Sequence, residues 1–203
     1  MEHIDKMTVG IVLYNPDYER LKASLDAIAQ QFTSVILYNN GGCNVDLIYD
    51  NKPDNMELVL LGDGVNRGIA AGLNAILKEA LAENNEWVIT LDQDSVIPGN
   101  MREEYQKWTS NDRTAIICPQ CIDKRRKYMH IKETPRMEKV QMCITSGSCM
   151  NIKIWKRLGG VDEWLFIDLV DNDYCKRVVL SGYEIIRLNN VILMETLCLA
   201  QKA

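Results

Sequence analysis

The sequence is poor in the groups that build metal or disulfide scaffolds. It has two histidines, His3 and His130, far apart in the chain. It has one Cys-x-x-Cys pair, Cys118-Pro119-Gln120-Cys121, and no second pair to complete a zinc site. Its seven cysteines are odd in number and irregularly spaced, so no disulfide framework is expected and the thiols read as small core residues of a reduced, cytoplasmic protein. Basic residues are not in excess: the formal net charge of -5 argues against a nucleic-acid partner held through phosphate contacts. No apolar run is long enough to predict a transmembrane helix, and Met1 to Lys6 lacks the basic-then-apolar pattern of a signal peptide.

What is present fits one domain, 1–203, with a real core: 47% of the 203 residues are hydrophobic. The chain is organised around Trp87-Val88-Ile89-Thr90-Leu91-Asp92-Gln93-Asp94-Ser95. A buried strand there delivers two carboxylates one residue apart. Their mutual repulsion and their dehydration are costly unless a cation compensates. A divalent metal on a phosphorylated ligand would do so; a solvated Asp-x-Asp turn is the plain alternative.

In chain order, Met7 to Tyr14 predicts a strand. Asn15 predicts an N-cap and Pro16 the first residue of a helix to Gln31, with Leu21, Leu25, Ile28 and Phe32 on its apolar face. Strands follow at Ser34–Tyr38, stopped by Asn39-Asn40-Gly41-Gly42, and at Leu58–Leu61, closed by Gly62-Asp63-Gly64. The stretch Asn66-Arg67-Gly68-Ile69-Ala70-Ala71-Gly72-Leu73-Asn74 opens a helix through Leu81, whose small residues Gly68, Ala70, Ala71 and Gly72 allow close packing on the sheet or close approach of a ligand. A short helix at Pro98–Trp108 and strands at Thr114–Cys118, Val140–Thr145, Cys149–Ile152, Tyr183–Leu188 and Val191–Leu193 complete the sheet. Helical turns are expected at Ile154–Leu158, and a further helix ends at Leu180 with Gly182 as its cap. Between them, Ile122 to Val140 reads as a solvated loop or hairpin, or as a segment meeting an anionic ligand or membrane surface through Lys124-Arg125-Arg126-Lys127. This order predicts an α/β three-layer sandwich with a mixed, mostly parallel sheet, whose ligands bind beyond the carboxyl ends of the strands, where Tyr14-Asn15, Asn39-Asn40 and Asp92-Asp94 lie.

Five segments now stand in one order: Val9 to Asn15, Asn66 to Asn74, Asp92-Gln93-Asp94-Ser95, Thr145-Ser146-Gly147-Ser148, and Asp171-Asn172-Asp173-Tyr174-Cys175-Lys176-Arg177. Together they resemble the inverting family 2 glycosyltransferases of the GT-A fold, and among them the bacterial rhamnosyltransferases. The resemblance implies that Val12, Tyr14, Asn15 and Asn40 border the nucleotide base. It implies that Asn66, Arg67, Gly68 and Gln93 line the nucleotide sugar, with Arg67 near the diphosphate, that Asp92 faces the ribose or a metal-bound water, and that Asp94 binds Mg2+ or Mn2+. Ser146, Gly147 and Ser148 would sit under the transferred sugar or acceptor, and Asp171 would be the general base. Trp164 reads equally as a core residue or as a platform for a sugar face.

The activity so implied is transfer of a sugar, rhamnose from dTDP-rhamnose first, from a nucleoside-diphosphate donor to a hydroxyl of a cell-surface glycan or lipid-linked precursor. It would occur in the cytoplasm or at the inner face of the membrane. An inverting displacement needs a carboxylate to take the acceptor proton and a cation to neutralise the leaving diphosphate. The segment Val191 to Thr196 lacks a histidine that many members carry, with Glu195 near its place, and the chain ends at Ala203, before the C-terminal helices that the resemblance leads one to expect. A non-catalytic nucleotide-sugar-binding module of the same fold is therefore the alternative. A nucleotidyltransferase would need a glycine-rich basic loop near the N-terminus, which Asn15-Pro16-Asp17-Tyr18 is not. From residue pattern alone, Asp168 and Asp171 read as surface acids of an amphipathic helix, and Asp173 with Arg177 as a helix-supporting pair.

Overall fold

A computed structural model describes residues 6–123 and 130–195. The basic run Lys124 to Lys127 lies outside them. In chain order the elements are β1 (Met7–Leu13), α1 (Tyr18–Ala29), β2 (Ser34–Asn39), α2 (Val45–Asp50), β3 (Glu57–Leu61), α3 (Ile69–Ala82), β4 (Trp87–Leu91), α4 (Met101–Gln106), β5 (Thr114–Asp123), β6 (Met137–Val140), β7 (Ser148–Asn151), α5 (Ile152–Arg157), a 3-10 turn (Glu163–Leu165), α6 (Val170–Leu180) and β8 (Glu184–Glu195).

The eight strands form one sheet in the order β3-β2-β1-β4-β7-β5-β8-β6. Strands β3, β2, β1 and β4 are parallel, as are β5 and β8; β7 runs antiparallel to both β4 and β5, and β6 antiparallel to β8. Strand alternation assigns each side chain to a face. In β2, Val35 and Leu37 join the layer of α1 and α4 with Leu21, Leu25, Ile28 and Tyr105. Ile36 and Tyr38 face the other layer, with Leu73, Ile76 and Leu77 of α3 and Tyr174 and Val178 of α6. The α3 helix lies close on the sheet at Gly72, where a Cβ would stand 2.8 Å from Val12 Cγ2 and 2.9 Å from the Tyr38 ring. Of the two readings of Gly72, packing against the sheet is the one the structure shows, with Val12 against it.

Four expectations are revised. Helix α1 is capped by Asp17, whose Oδ1 accepts from the amides of Glu19 and Arg20. Asn15 instead turns the chain at φ 44°, a conformation Asn tolerates, and donates its amide to Gly41 O at 3.0 Å. The strand predicted over Val140–Thr145 lies earlier, as β6, because the carbonyls of Ile144 and Thr145 are taken by the hydroxyls of Ser148 and Thr90 rather than by a neighbouring strand. The two strands predicted over 183–193 are one. Its register against β5 jumps from Pro119↔Leu188 to Gln120↔Ile192, leaving Asn189, Asn190 and Val191 in a bulge. Helix α2 was not predicted; Asn44 caps it by accepting from Leu47 N.

Candidate functional site

Parallel register sets the ends of β1, β2, β3 and β4 on one edge: Leu13 pairs with Asn39, Tyr38 with Leu61, and Ile11 with Leu91. Because β7 is antiparallel and Thr90 pairs with Ser148, it is the start of β7 that reaches the same edge. The segments singled out in the sequence converge here.

The acid turn beyond β4 is clamped on three sides. Ser95 N donates to Asp92 O at 3.0 Å and closes the turn. The Gln93 amide pairs twice with the Tyr14 backbone, accepting from its N at 2.9 Å and donating to its O at 3.1 Å. Asp92 N donates to Ser146 Oγ, which lies 2.8 Å from Ser95 Oγ. Two like charges at a strand end need a cation, and Arg20 supplies one: its Nη1 lies 3.3 Å from Asp94 Oδ2. The Asp94 side chain is 16% exposed, whereas Asp92 is open to solvent.

The next strand ends are tied by side-chain amides. Asn40 Nδ2 donates to Asn66 Oδ1, Asn40 Oδ1 accepts from Arg67 N at 2.8 Å, and Asn66 Oδ1 also accepts from Gly68 N. Asn40 therefore holds the 66–68 turn, so its polar atoms are spent inside the protein. Arg67 forms a two-point pair with Asp63, Nη2 to Oδ2 at 2.9 Å and Nη1 to Oδ1, and this guanidinium holds the Asp63 carboxyl well below the usual carboxylate range. Asp63 was read in the sequence only as part of a turn. Tyr14 is 49% exposed, its ring over Gly41.

The floor is the segment 143–148. The Thr90 hydroxyl lies 2.7 Å from Thr145 O and 3.0 Å from Ser148 O; Gly147 N donates to Thr90 O, and the buried Tyr105 hydroxyl donates to Gly147 O at 2.7 Å. Burial pushes the Tyr105 phenol up, keeping it a donor. Gly147 has φ 79°, and a Cβ there would stand 2.6 Å from Pro119 Cγ, so only glycine fits. Ser146 and Ser148 are buried and their hydroxyls turn inward, toward the acid turn and Ile144 O. They shape the site's edge from below.

The far side of the site is built by the loop 162–169 and α6. Asn74 is its anchor, a residue not singled out for the site: Oδ1 accepts from Trp155 Nε1 and Val161 N, and Nδ2 donates to Val161 O and Glu163 Oε1. Phe166 and Leu169 take φ 58° and 64°, costly for non-glycine residues. Gly68 makes room for Phe166, because a Cβ there would stand 2.5 Å from Phe166 O. Trp164 is 87% exposed, which removes the core reading. Asp171, half-exposed in the first turn of α6, lines a crevice with Thr90, Thr145, Ser148, Tyr174 and Cys175. Asp168 is exposed and Asp173 pairs with Arg177 at 2.7 Å.

Among the described residues no group of three or more His, Cys, Asp or Glu could hold a metal by itself. Asp94 offers a hard oxygen donor on which a cationic group already rests. That donor set suits a hard divalent ion completed by phosphate oxygens, the usual way Mg2+ is bound.

Comparison with known proteins agrees with this geometry. The chain is 27% identical over 188 residues to the dTDP-rhamnosyl transferase RfbF of Shigella flexneri, covering 85% of this chain and 62% of that protein. Among solved structures it is similar to the mannosyltransferase PcManGT from Pyrobaculum calidifontis in complex with GDP-Man and Mn2+ (TM-score 0.77, 18% identity, 98% of this chain and 59% of that one). It is also similar to TarS 1-349 of S. aureus in complex with UDP-GlcNAc (TM-score 0.73, 15% identity, 97% and 60%). The fold is thus that of the GT-A glycosyltransferases, and the chain spans about three-fifths of the length of these relatives. The family profile for glycosyl transferase family 2 matches residues 8–167, and the chain belongs to that family.

Proposed function

We propose that this chain is one GT-A domain of an inverting glycosyltransferase. It moves a sugar, rhamnose from dTDP-rhamnose being the first donor to test, to a hydroxyl of a cell-surface polysaccharide or its lipid-linked precursor. The observation that carries the reading is the convergence of the clamped acid turn and Asp171 on one edge of the sheet, joined by the 143–148 floor. The Shigella relative supports the choice of donor, and the Mn2+-bound neighbours support a divalent metal.

In this reading Tyr14 and Asn15 border the base. Asn66, Arg67 and Gly68, held by Asn40, face the diphosphate and sugar. Asp92 and Gln93 lie on the ribose side, and Asp94 holds Mg2+ or Mn2+. When bound, the ion neutralises charge on the leaving diphosphate. Asp171 accepts the acceptor's hydroxyl proton as the new bond forms on the face opposite the leaving group, and Trp164 offers a face to the acceptor sugar. No helix among the described residues is long and apolar enough to cross a membrane; we place the enzyme in the cytoplasm or peripherally at the inner membrane face, where lipid-linked acceptors are found.

The test is donor turnover over a panel of nucleotide sugars with Mg2+ or Mn2+. Thermal-shift titration of nucleoside diphosphates on the wild type and Asp94→Ala accompanies it. Metal-dependent nucleotide binding in the wild type, lost in Asp94→Ala, is expected. Nucleotide binding that ignores the metal and Asp94 refutes the assignment of Asp94. Nucleotide binding without turnover of any donor favours the non-catalytic module.

A further inference from the structure

Arg20 belongs to no motif that the sequence singled out, yet it reaches the centre of the site. It sits in the first turn of α1 between two acids. Its Nη1 is 3.3 Å from Asp94 Oδ2, and its Nε is 3.8 Å from Asp17 Oδ2. Asp17 is fixed because its other oxygen caps α1. Asp94 is fixed by the Gln93–Tyr14 amide pair and the Ser95–Ser146 contact on either side of it. The arginine between them is not: its side chain is 46% exposed, and both separations exceed the 2.7–2.9 Å typical of a tight charge-assisted pair. The molecule holds tight pairs of that kind elsewhere, as at Arg177–Asp173 and Arg136–Glu104. A loosely held guanidinium therefore rests on the one carboxylate that the proposed function gives to the metal, an inference that depends on that assignment.

A guanidinium and a divalent ion cannot both occupy Asp94 without repulsion. A nucleoside diphosphate reverses the balance, because it brings negative charge and planar pairs of oxygens that suit an arginine fork. We infer that Arg20 is a donor-binding residue parked on Asp94. With the site empty it neutralises Asp94 and competes with the metal. When metal and donor enter together it swings from Asp94 to the diphosphate. There it meets the extra negative charge that the leaving group gains as the sugar departs.

The inference gives two effects of opposite sign, which a merely structural arginine would not. In Arg20→Ala, Mn2+ alone, measured by electron paramagnetic resonance of the free ion, binds several-fold tighter than in the wild type. In the same variant, UDP and dTDP titrated at saturating Mn2+ bind roughly tenfold or more weakly, the range for a lost hydrogen bond to a charged group. Arg20→Gln keeps the stem packed and removes the charge, and gives the same two signs if Arg20→Ala proves unstable. Arg20→Lys recovers part of the nucleotide affinity. Mn2+ and nucleotide affinities that move together, or do not move, overturn the inference while leaving the assignment of Asp94 intact. A wild type that binds Mn2+ and nucleotide with no dependence on Asp94 overturns both.

Discussion

On the β1–β4 side of the sheet, the polar groups at the strand ends are paired with one another. Asn40, Asn66 and Gln93 spend their amides on neighbouring backbone, and Arg67 is locked to Asp63. On the β7–α6 side the pattern is reversed. Trp164, Phe166, Ile167 and Leu169 stand in solvent, and two of them carry a backbone that non-glycine residues avoid. Such backbone persists only where its surroundings over-determine it, at a cost of about 1–3 kcal/mol per residue. Here Asn74 and the space above Gly68 do so. One side is thus closed on itself, and the other is held open at a cost, with apolar side chains exposed.

The sharpest way to separate the two sides is Asp171→Asn. Turnover is expected to fall by about 10²–10⁴-fold, the usual share of a general base, while nucleotide affinity in titration stays near wild type. Loss of both would erase the division. Asn74→Leu follows: leaving Trp155 Nε1 and the Val161 amide and carbonyl without partners should cost about 3 kcal/mol in urea unfolding. Acceptor kinetics should suffer more than donor binding. Gly68→Ala places a methyl group against Phe166 O at a positive φ and should cost about 2 kcal/mol in the same assay.

A smaller effect concerns pH. Lys107 first, then Asn190 and Arg136, hold the Glu104 carboxyl down to about 2. Its folded value lies below the unfolded one of about 4.3, so this contribution is complete above pH 4.3 and fades as pH falls toward 2. Acid unfolding of Glu104→Gln should lack that component of the slope. Last, Trp164→Ala should leave stability within about 0.5 kcal/mol, because the side chain is 87% exposed, while raising KM for the acceptor alone. An unchanged acceptor KM would show that the indole plays no part in acceptor recognition.

Sequence reasoning served the two sides unequally, for the same physical reason. The β1–β4 side is made of local signals: alternating apolar strands, capping residues and glycine turns that act within a few residues of themselves. Its strands, α1 and α3 were legible and the acid turn was found, although α2 and the Asp17 cap were not. The opposite side depends on pairings distant in sequence. The bulge at Asn189–Val191 is set by Gln120 and Pro135, through Gln120 Nε2 to Asn189 O and Asn189 Nδ2 to Pro135 O. The start of β7 is set by Thr90, and the 162–169 loop by Asn74. No window of sequence holds both members of these pairs. The same limit hid the inward turn of Ser146 and Ser148. The partner of Asp63 was missed for another reason: Asp63 and Arg67 are only four residues apart, and charge spacing could have suggested the pair.

The reversed direction of β7 bears on how such a protein changes its preferences over evolution. A parallel strand in that position would have to deliver its residues from its carboxyl end and then cross the sheet again through a helix. An antiparallel one is entered through a loop, 141–147, anchored between edge strand β6 and central strand β7. Insertions and deletions at 141–143 can reshape what the crevice admits, whereas changes at Thr145–Ser148 would disturb the contacts with Thr90, Asp92 and Ser95 that hold β4 and its turn. The strand that fixes the acids and the outer part of this loop are thereby separable, while the inner part is tied to both.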